Sequence, residues 1–146
     1  MEVEFGRKAR KEKGAPFSSL YHHMSIEKIV RGSENEAKKV LVIEDDADVR
    51  SFASWLLELE GYRVLQDKKG DEGLKLARRS QIDLVLLDLR LTGLDGWSVL
   101  EQLKNEQRLA SIPVVVFTDS AAISQRTWAL ATGAIDYLVK LIGAVA

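Results

Sequence analysis

A chain of 146 residues has room for one domain with a hydrophobic core and a tail, and is too short for two domains of ordinary size. With 46% hydrophobic and 29% charged residues it has the composition of a folded globular protein, and a net charge of −1 supplies no global field toward nucleic acid or membrane. The absence of cysteine excludes disulfides, thiol nucleophiles and cysteine-ligated zinc; no apolar run approaches the roughly 20 residues of a membrane span, and no secretion-signal core is present, so the cytoplasm is the expected location.

Charge divides the sequence near Lys38. Up to Lys39 there are nine Lys/Arg against six Asp/Glu, and the remainder is net acidic. Residues 1–37 are read as an N-terminal extension and 38–146 as the folded domain. Within the extension, Arg7 to Gly14 is polar and basic, the pattern of a solvated tail. Phe17, Leu20, Tyr21 and Met24 fall at helical spacing and predict a short helix over 17–30.

From Val40 the pattern changes. Val40 to Ile43 is a wholly apolar, β-branched run of strand length, which predicts a buried strand. Asp48 to Glu60 then places Val49, Phe52, Leu56 and Leu59 on one helical face and ends at Gly61, a residue suited to a left-handed helix stop. The alternation repeats: strand Tyr62 to Gln66, helix Gly70 to Arg79, strand Leu84 to Leu87, helix Trp97 to Gln107. It closes with strand Val114 to Phe117, helix Ala122 to Ala131 and strand Ile135 to Val139. Strands without polar alternation need cover on both faces, so five strands alternating with four helices predict a doubly wound α/β fold around a parallel sheet. Trp55, Trp97 and Trp128 fit helical packing better than a cofactor box, because no other aromatics cluster with them.

In such sheets ligands bind beyond the carboxyl ends of the strands. The first strand runs into Glu44, Asp45 and Asp46, the third into Asp88, the fourth into Thr118 and the fifth into Lys140. Singly each has a duller reading: Asp46 or Asp48 can cap a helix, Asp88 can end a strand, and a loop Thr or Lys is commonplace. As a set they suggest chemistry. Carboxylates gathered without partners repel one another, so Glu44, Asp45 and Asp88 point to a hard cation, with Mg²⁺ the candidate. Asp88 would attack phosphorus, Lys140 would add positive charge, and the Thr118 hydroxyl would donate to the new phosphoryl oxygens.

Across Lys39 to Lys140 the sequence resembles the receiver domains of two-component response regulators. The resemblance is carried by Val40-Leu41-Val42-Ile43-Glu44-Asp45-Asp46, by Asp83-Leu84-Val85-Leu86-Leu87-Asp88-Leu89-Arg90-Leu91 with Gly96, by Ile112 to Thr118, and by Thr132 to Lys140. It implies the flavodoxin-like receiver fold and a non-enzymatic role in phosphorelay signalling. Glu44 and Asp45 would be the acidic pair, Asp88 the phosphoacceptor and a Mg²⁺ ligand, and the Arg90 main-chain carbonyl a further ligand. Tyr137 would be the aromatic that turns inward as Thr118 closes on the phosphoryl group; simple packing on the last strand is its plainer role. The implied partners are a sensor histidine kinase or phosphotransfer protein upstream and a protein downstream. No direct nucleic-acid or membrane contact is expected.

Four departures bear on that resemblance. Asp119 stands where receivers carry a small residue and would repel an incoming phosphodonor. Thr92 and Leu141 stand where proline is usual, and a trans bond is expected after Lys140 because a cis bond to a non-proline residue costs roughly 2.5 to 4 kcal/mol. Only six residues follow Lys140, so a fifth helix is expected to be missing, with its place on the sheet taken by the 17–30 segment, a second copy of the chain or a partner, or else the chain is a truncated product. The chief rival is a degenerate receiver that serves as a phosphorylation-independent binding or dimerisation module. An aspartyl phosphatase would want a second acid where Arg90 stands, and a dinucleotide enzyme would want a glycine fingerprint where the acidic pair stands.

Overall fold

The computed structural model describes residues 37–140. The predicted 17–30 helix, the Arg7 to Gly14 run and everything after Lys140 lie outside the described residues, as do the peptide bond that follows Lys140 and the question of what replaces a fifth helix.

The described residues form β1 (Lys39–Ile43), α1 (Ala47–Leu59), β2 (Arg63–Asp67), α2 (Gly70–Arg79), β3 (Leu84–Leu87), α3 (Gly96–Asn105), β4 (Val114–Thr118), α4 (Ile123–Thr132) and β5 (Asp136–Val139). All strand pairings are parallel and the order is β2-β1-β3-β4-β5. This is the flavodoxin-like arrangement, whose strand order reverses between β1 and β3. β1, β3 and β4 are almost wholly buried, as apolar runs with a helix layer on either side must be, whereas the edge strand β2 has Arg63 and Gln66 exposed.

Alternate side chains feed two cores. Leu41, Ile43, Val85, Leu87, Val114, Val116 and Tyr137 meet Leu74 and Ala77 of α2, Val99, Leu100 and Leu103 of α3, and Ala129 of α4. On the other face Val40, Val42, Leu84, Leu86, Val115, Phe117 and Leu138 meet Ala53 and Leu57 of α1. Among the described residues, then, three helices pack on one face and one on the other. None of them is long and apolar enough to cross a membrane.

Two expectations change in detail. The stripe that α1 buries is Ala53, Leu56 and Leu57, and Leu59 is exposed, because the helix approaches the sheet one residue further round than a Val49-Phe52-Leu56-Leu59 face requires. The tryptophans do have aromatic neighbours: Trp97 on α3 and Trp128 on α4 meet at 5.8 Å, and Trp55 meets Phe52 at 6.0 Å. The first pair is separated by a whole βα unit in sequence, and only the parallel order of β3 and β4 lays α3 beside α4.

Local signals set the element ends. Asp46 caps α1, its carboxylate accepting from the Asp48 and Val49 N–H groups, and Asp95 caps α3 through the Ser98 N–H. Gly61 stops α1 at φ +97°, a backbone state that a side chain disfavours. Gly96 is fixed by space: a Cβ there would lie 2.3 Å from the Asp88 carbonyl oxygen and 2.4 Å from Leu89 Cα. The start of α3 therefore rests directly on the backbone that follows β3. Gly96→Ala is expected to destabilise the fold by about 1–3 kcal/mol, seen as a lower urea midpoint at unchanged slope.

Candidate functional site

The sheet's ladders extend past the strands and fix the backbone of the residues singled out in the sequence. The Glu44 N–H donates to the Asp67 carbonyl at 3.0 Å, the Asp88 N–H to the Ile43 carbonyl at 3.0 Å, and the Lys140 N–H to the Thr118 carbonyl at 2.7 Å. An open cavity of about 400 Å³ lies at these carboxyl ends, lined by Glu44, Asp45, Asp46, Val49, Asp88, Arg90, Asp119 and Lys140. It sits at the β1/β3 reversal, where the strand order predicts a ligand.

Glu44 and Asp88 are buried, at 2% and 4% exposure. Lys140 reaches both, its Nζ 2.8 Å from Glu44 Oε1 and 3.3 Å from Asp88 Oδ2. Nζ also lies 5.7 Å from the centre of the Phe117 ring, so the lysine crosses the end of β4 above an aromatic face. The repulsion anticipated between converging acids is thus offset by a cation of the chain itself. Asp88 Oδ1 accepts from the Arg90 N–H at 3.1 Å, and Glu44 Oε2 accepts from the Asp46 N–H at 3.0 Å.

Burial pushes the Glu44 carboxyl up to about 7 and the Asp88 charge adds to that, while the hydrogen bond from Lys140 and its charge act the other way. For Lys140, burial works against the charged form, but the Glu44 hydrogen bond and the charges of Glu44 and Asp88 outweigh it and raise its pKa above the ordinary lysine value. The ammonium stays charged.

The other residues occupy distinct places. Asp45 is half-buried at the mouth and takes long hydrogen bonds of 3.4 and 3.5 Å from the Thr92 hydroxyl. Asp46 is spent on the α1 cap. Thr118 ends β4, 1% exposed, and its Oγ1 has no hydrogen-bond partner among the described residues. Tyr137 is buried, its hydroxyl donating to the Ser120 carbonyl at 2.7 Å; burial raises its pKa and the Asp119 charge raises it further. Asp119 stands on the rim and pairs with Arg90 Nε at 3.5 Å, both side chains largely exposed.

Arg50 was not anticipated as a site residue. From the second turn of α1 its guanidinium donates to the Glu44 carbonyl at 2.8 Å and the Asp45 carbonyl at 3.4 Å, anchoring the acidic loop from behind. The available signal is an arginine six residues after a strand-end acid, which has meaning only once a helix is known to fold back over the loop.

The family model of the response regulator receiver domain matches residues 40–145. The chain belongs to the response regulator receiver family. It is 38% identical over 102 residues to the DNA-binding dual master transcriptional regulator RpaA of Synechocystis, a stretch covering 70% of this chain and 42% of that protein. The receiver therefore spans less than half the length of that regulator. It is 31% identical over 102 residues to protein PilH of Pseudomonas aeruginosa, covering 70% of this chain and 84% of PilH. Among solved structures it resembles the receiver domain of sensor histidine kinase PA1611 of Pseudomonas aeruginosa, which has a magnesium ion in its active-site cleft; the TM-score is 0.66 at 28% identity, covering 72% of this chain and 86% of that one. As a receiver, the chain is a module of two-component signalling.

Because Glu44 has a folded pKa above its ordinary value of 4.5, its contribution to stability is present below that value and is lost as pH rises through about 7. Lys140→Met removes the cation that moderates this. In chelator-treated protein the variant should titrate Glu44 above about 7, read by carboxyl ¹³C NMR.

Proposed function

We propose that this receiver accepts a phosphoryl group on Asp88 from a histidine kinase or phosphotransfer protein in the cytoplasm, and that the modified state acts through a protein partner. One observation carries the reading: the buried Asp88 carboxylate faces an open cavity, clamped by the Lys140 ammonium on one oxygen and the Arg90 N–H on the other. A carboxylate so held is fixed in direction and cannot rotate away from an in-line attack.

The donor set suits Mg²⁺. Among the described residues no three acidic or histidine side chains form a ready cage. Mg²⁺ does not need one, since it keeps several waters and takes one or two carboxylates together with phosphate oxygens. Asp45 and Asp88, with the Arg90 main-chain carbonyl, would hold it, and Glu44, engaged by Lys140 and the Asp46 N–H, would support it from behind. When bound, the ion would supply charge neutralisation to the transferred phosphoryl group.

In the transfer an Asp88 oxygen forms the new bond to phosphorus while the phosphorus–nitrogen bond of a phosphohistidine donor breaks and the leaving imidazole takes up a proton. Lys140 would stabilise the added charge. The Thr118 hydroxyl, unpaired among the described residues and one strand over from Asp88, would donate to a phosphoryl oxygen, a contact that the unmodified state lacks and that biases the loop carrying Asp119, Ser120 and the Tyr137 hydroxyl bond. Arg90 stands two residues after Asp88, where an aspartyl phosphatase would carry its general acid, which favours a signalling role over an enzymatic one.

The second reading is a degenerate receiver used only as a binding surface, and Asp119 on the cavity rim favours it. Arg90 offsets that charge in part. Intact mass after incubation with Mg²⁺ and acetyl phosphate separates the two: wild type should gain one phosphoryl group and Asp88→Asn none, whereas an unmodified wild type would establish the degenerate module. Asp119→Ala should speed the modification by about two- to fivefold at low ionic strength, a gain that shrinks at high salt because both rim charges are exposed.

A further inference from the structure

Away from the Asp88 cavity, a second cavity of about 450 Å³ opens between α3 and α4, lined by Trp97, Glu101, Ser124, Gln125 and Trp128. Its two indoles meet at 5.8 Å with their planes tilted by 46°, making a V of aromatic faces. Trp97 packs partly on the core, so its position is fixed from behind, while Trp128 is 66% exposed. A tryptophan serving only to pack α4 on α3 would bury its ring; this one shows most of it to solvent. At the edge of the aromatic pair stands the exposed carboxylate of Glu101. An indole face carries negative electrostatic potential, and a carboxylate beside it adds a full negative charge, so the indoles and Glu101 both have the sign that attracts a cation.

The chain supplies no cation of its own among the described residues. None of the ion pairs there involves Glu101. The cation over an aromatic ring is Lys140 over Phe117, at the other site. Lys104, on the next turn of α3, is turned away, its ammonium donating to the Ala110 and Ile112 carbonyls at 2.9 and 2.8 Å.

We propose that this cleft binds a cationic side chain, arginine or lysine, presented by a partner protein. A planar guanidinium or an alkylammonium would lie against the indoles with its charge toward Glu101, and the Ser124 hydroxyl and Gln125 carbonyl oxygen can accept its remaining N–H groups. The purely apolar alternative, a leucine or phenylalanine of a docking helix, would cover the exposed Glu101 carboxylate with a group that cannot bond to it. The cleft shares no lining residue with the Asp88 cavity.

The three tryptophans give three indole N–H signals in the ¹H–¹⁵N spectrum of the full chain, with Trp55 as an internal control on a different helix. Titration with acetyl-arginine-amide should move the Trp97 and Trp128 signals saturably and leave Trp55 in place. Acetyl-citrulline-amide, uncharged and of nearly the same shape, should move neither. Glu101→Gln should weaken the arginine response by about two- to fivefold, the scale of one exposed charge contact, and Trp128→Ala should remove it from Trp97. Equal responses to arginine and citrulline, equal movement of all three indoles, or no movement would each overturn the proposal. So would a change at Trp97 and Trp128 in the unliganded Arg10→Glu, Lys11→Glu double variant, because the occupant would then be the chain's own basic run.

Discussion

Lys140 ties the site together. Two carboxylates at the tips of the adjacent strands β1 and β3 are almost fully withdrawn from water, an arrangement that burial and mutual repulsion both disfavour. The cation that offsets them comes from the end of β5, beyond β4 in the sheet, and reaches them across the Phe117 ring. The parallel ladder that bonds the Lys140 N–H to Thr118 gives the side chain its starting point, and the flat row of strand ends gives it a path. Without that reach, one of the acids would have to be neutral or the loop would have to open.

Around this clamp the loops are held from several sides. The Asp46 cap and the Arg50 guanidinium fix the turn after β1, and the close approach of Gly96 to the Asp88 carbonyl fixes the turn after β3. The rim is looser. Arg90 and Asp119 form an exposed pair, of a kind worth at most about 1 kcal/mol, and the Thr92 to Asp45 bonds are long. A rigid floor under a weakly held mouth suits a site that must orient one carboxylate and still admit a bulky donor.

The two cavities use opposite electrostatics. The one at the strand ends places a lysine and backbone N–H groups around acids, the arrangement on which the proposed phosphoryl transfer rests. The α3–α4 cleft has two aromatic faces and a carboxylate, with no lysine or arginine in its lining. They are nevertheless joined through the fold, since α3 begins on the backbone that follows Asp88 and α4 follows the loop that carries Asp119 and Ser120.

The elements were legible in the sequence because each is encoded locally. Apolar runs made β1, β3 and β4, helical spacing and a glycine stop made α1, and predicted boundaries fell within about two residues of those observed. The acids, Thr118 and Lys140 were legible for the same reason, each standing directly after an apolar run. What the sequence could not determine depends on relations between distant segments. That Lys140 bridges Glu44 and Asp88, that Arg50 anchors the acidic loop, that Arg90 moderates Asp119, and that Trp97 finds Trp128 all follow from strand order and helix placement. A strand or a helix is selected by neighbours a few residues away, whereas an ion pair or an aromatic pair forms only where packing brings two remote backbones together, and no local pattern carries that distance.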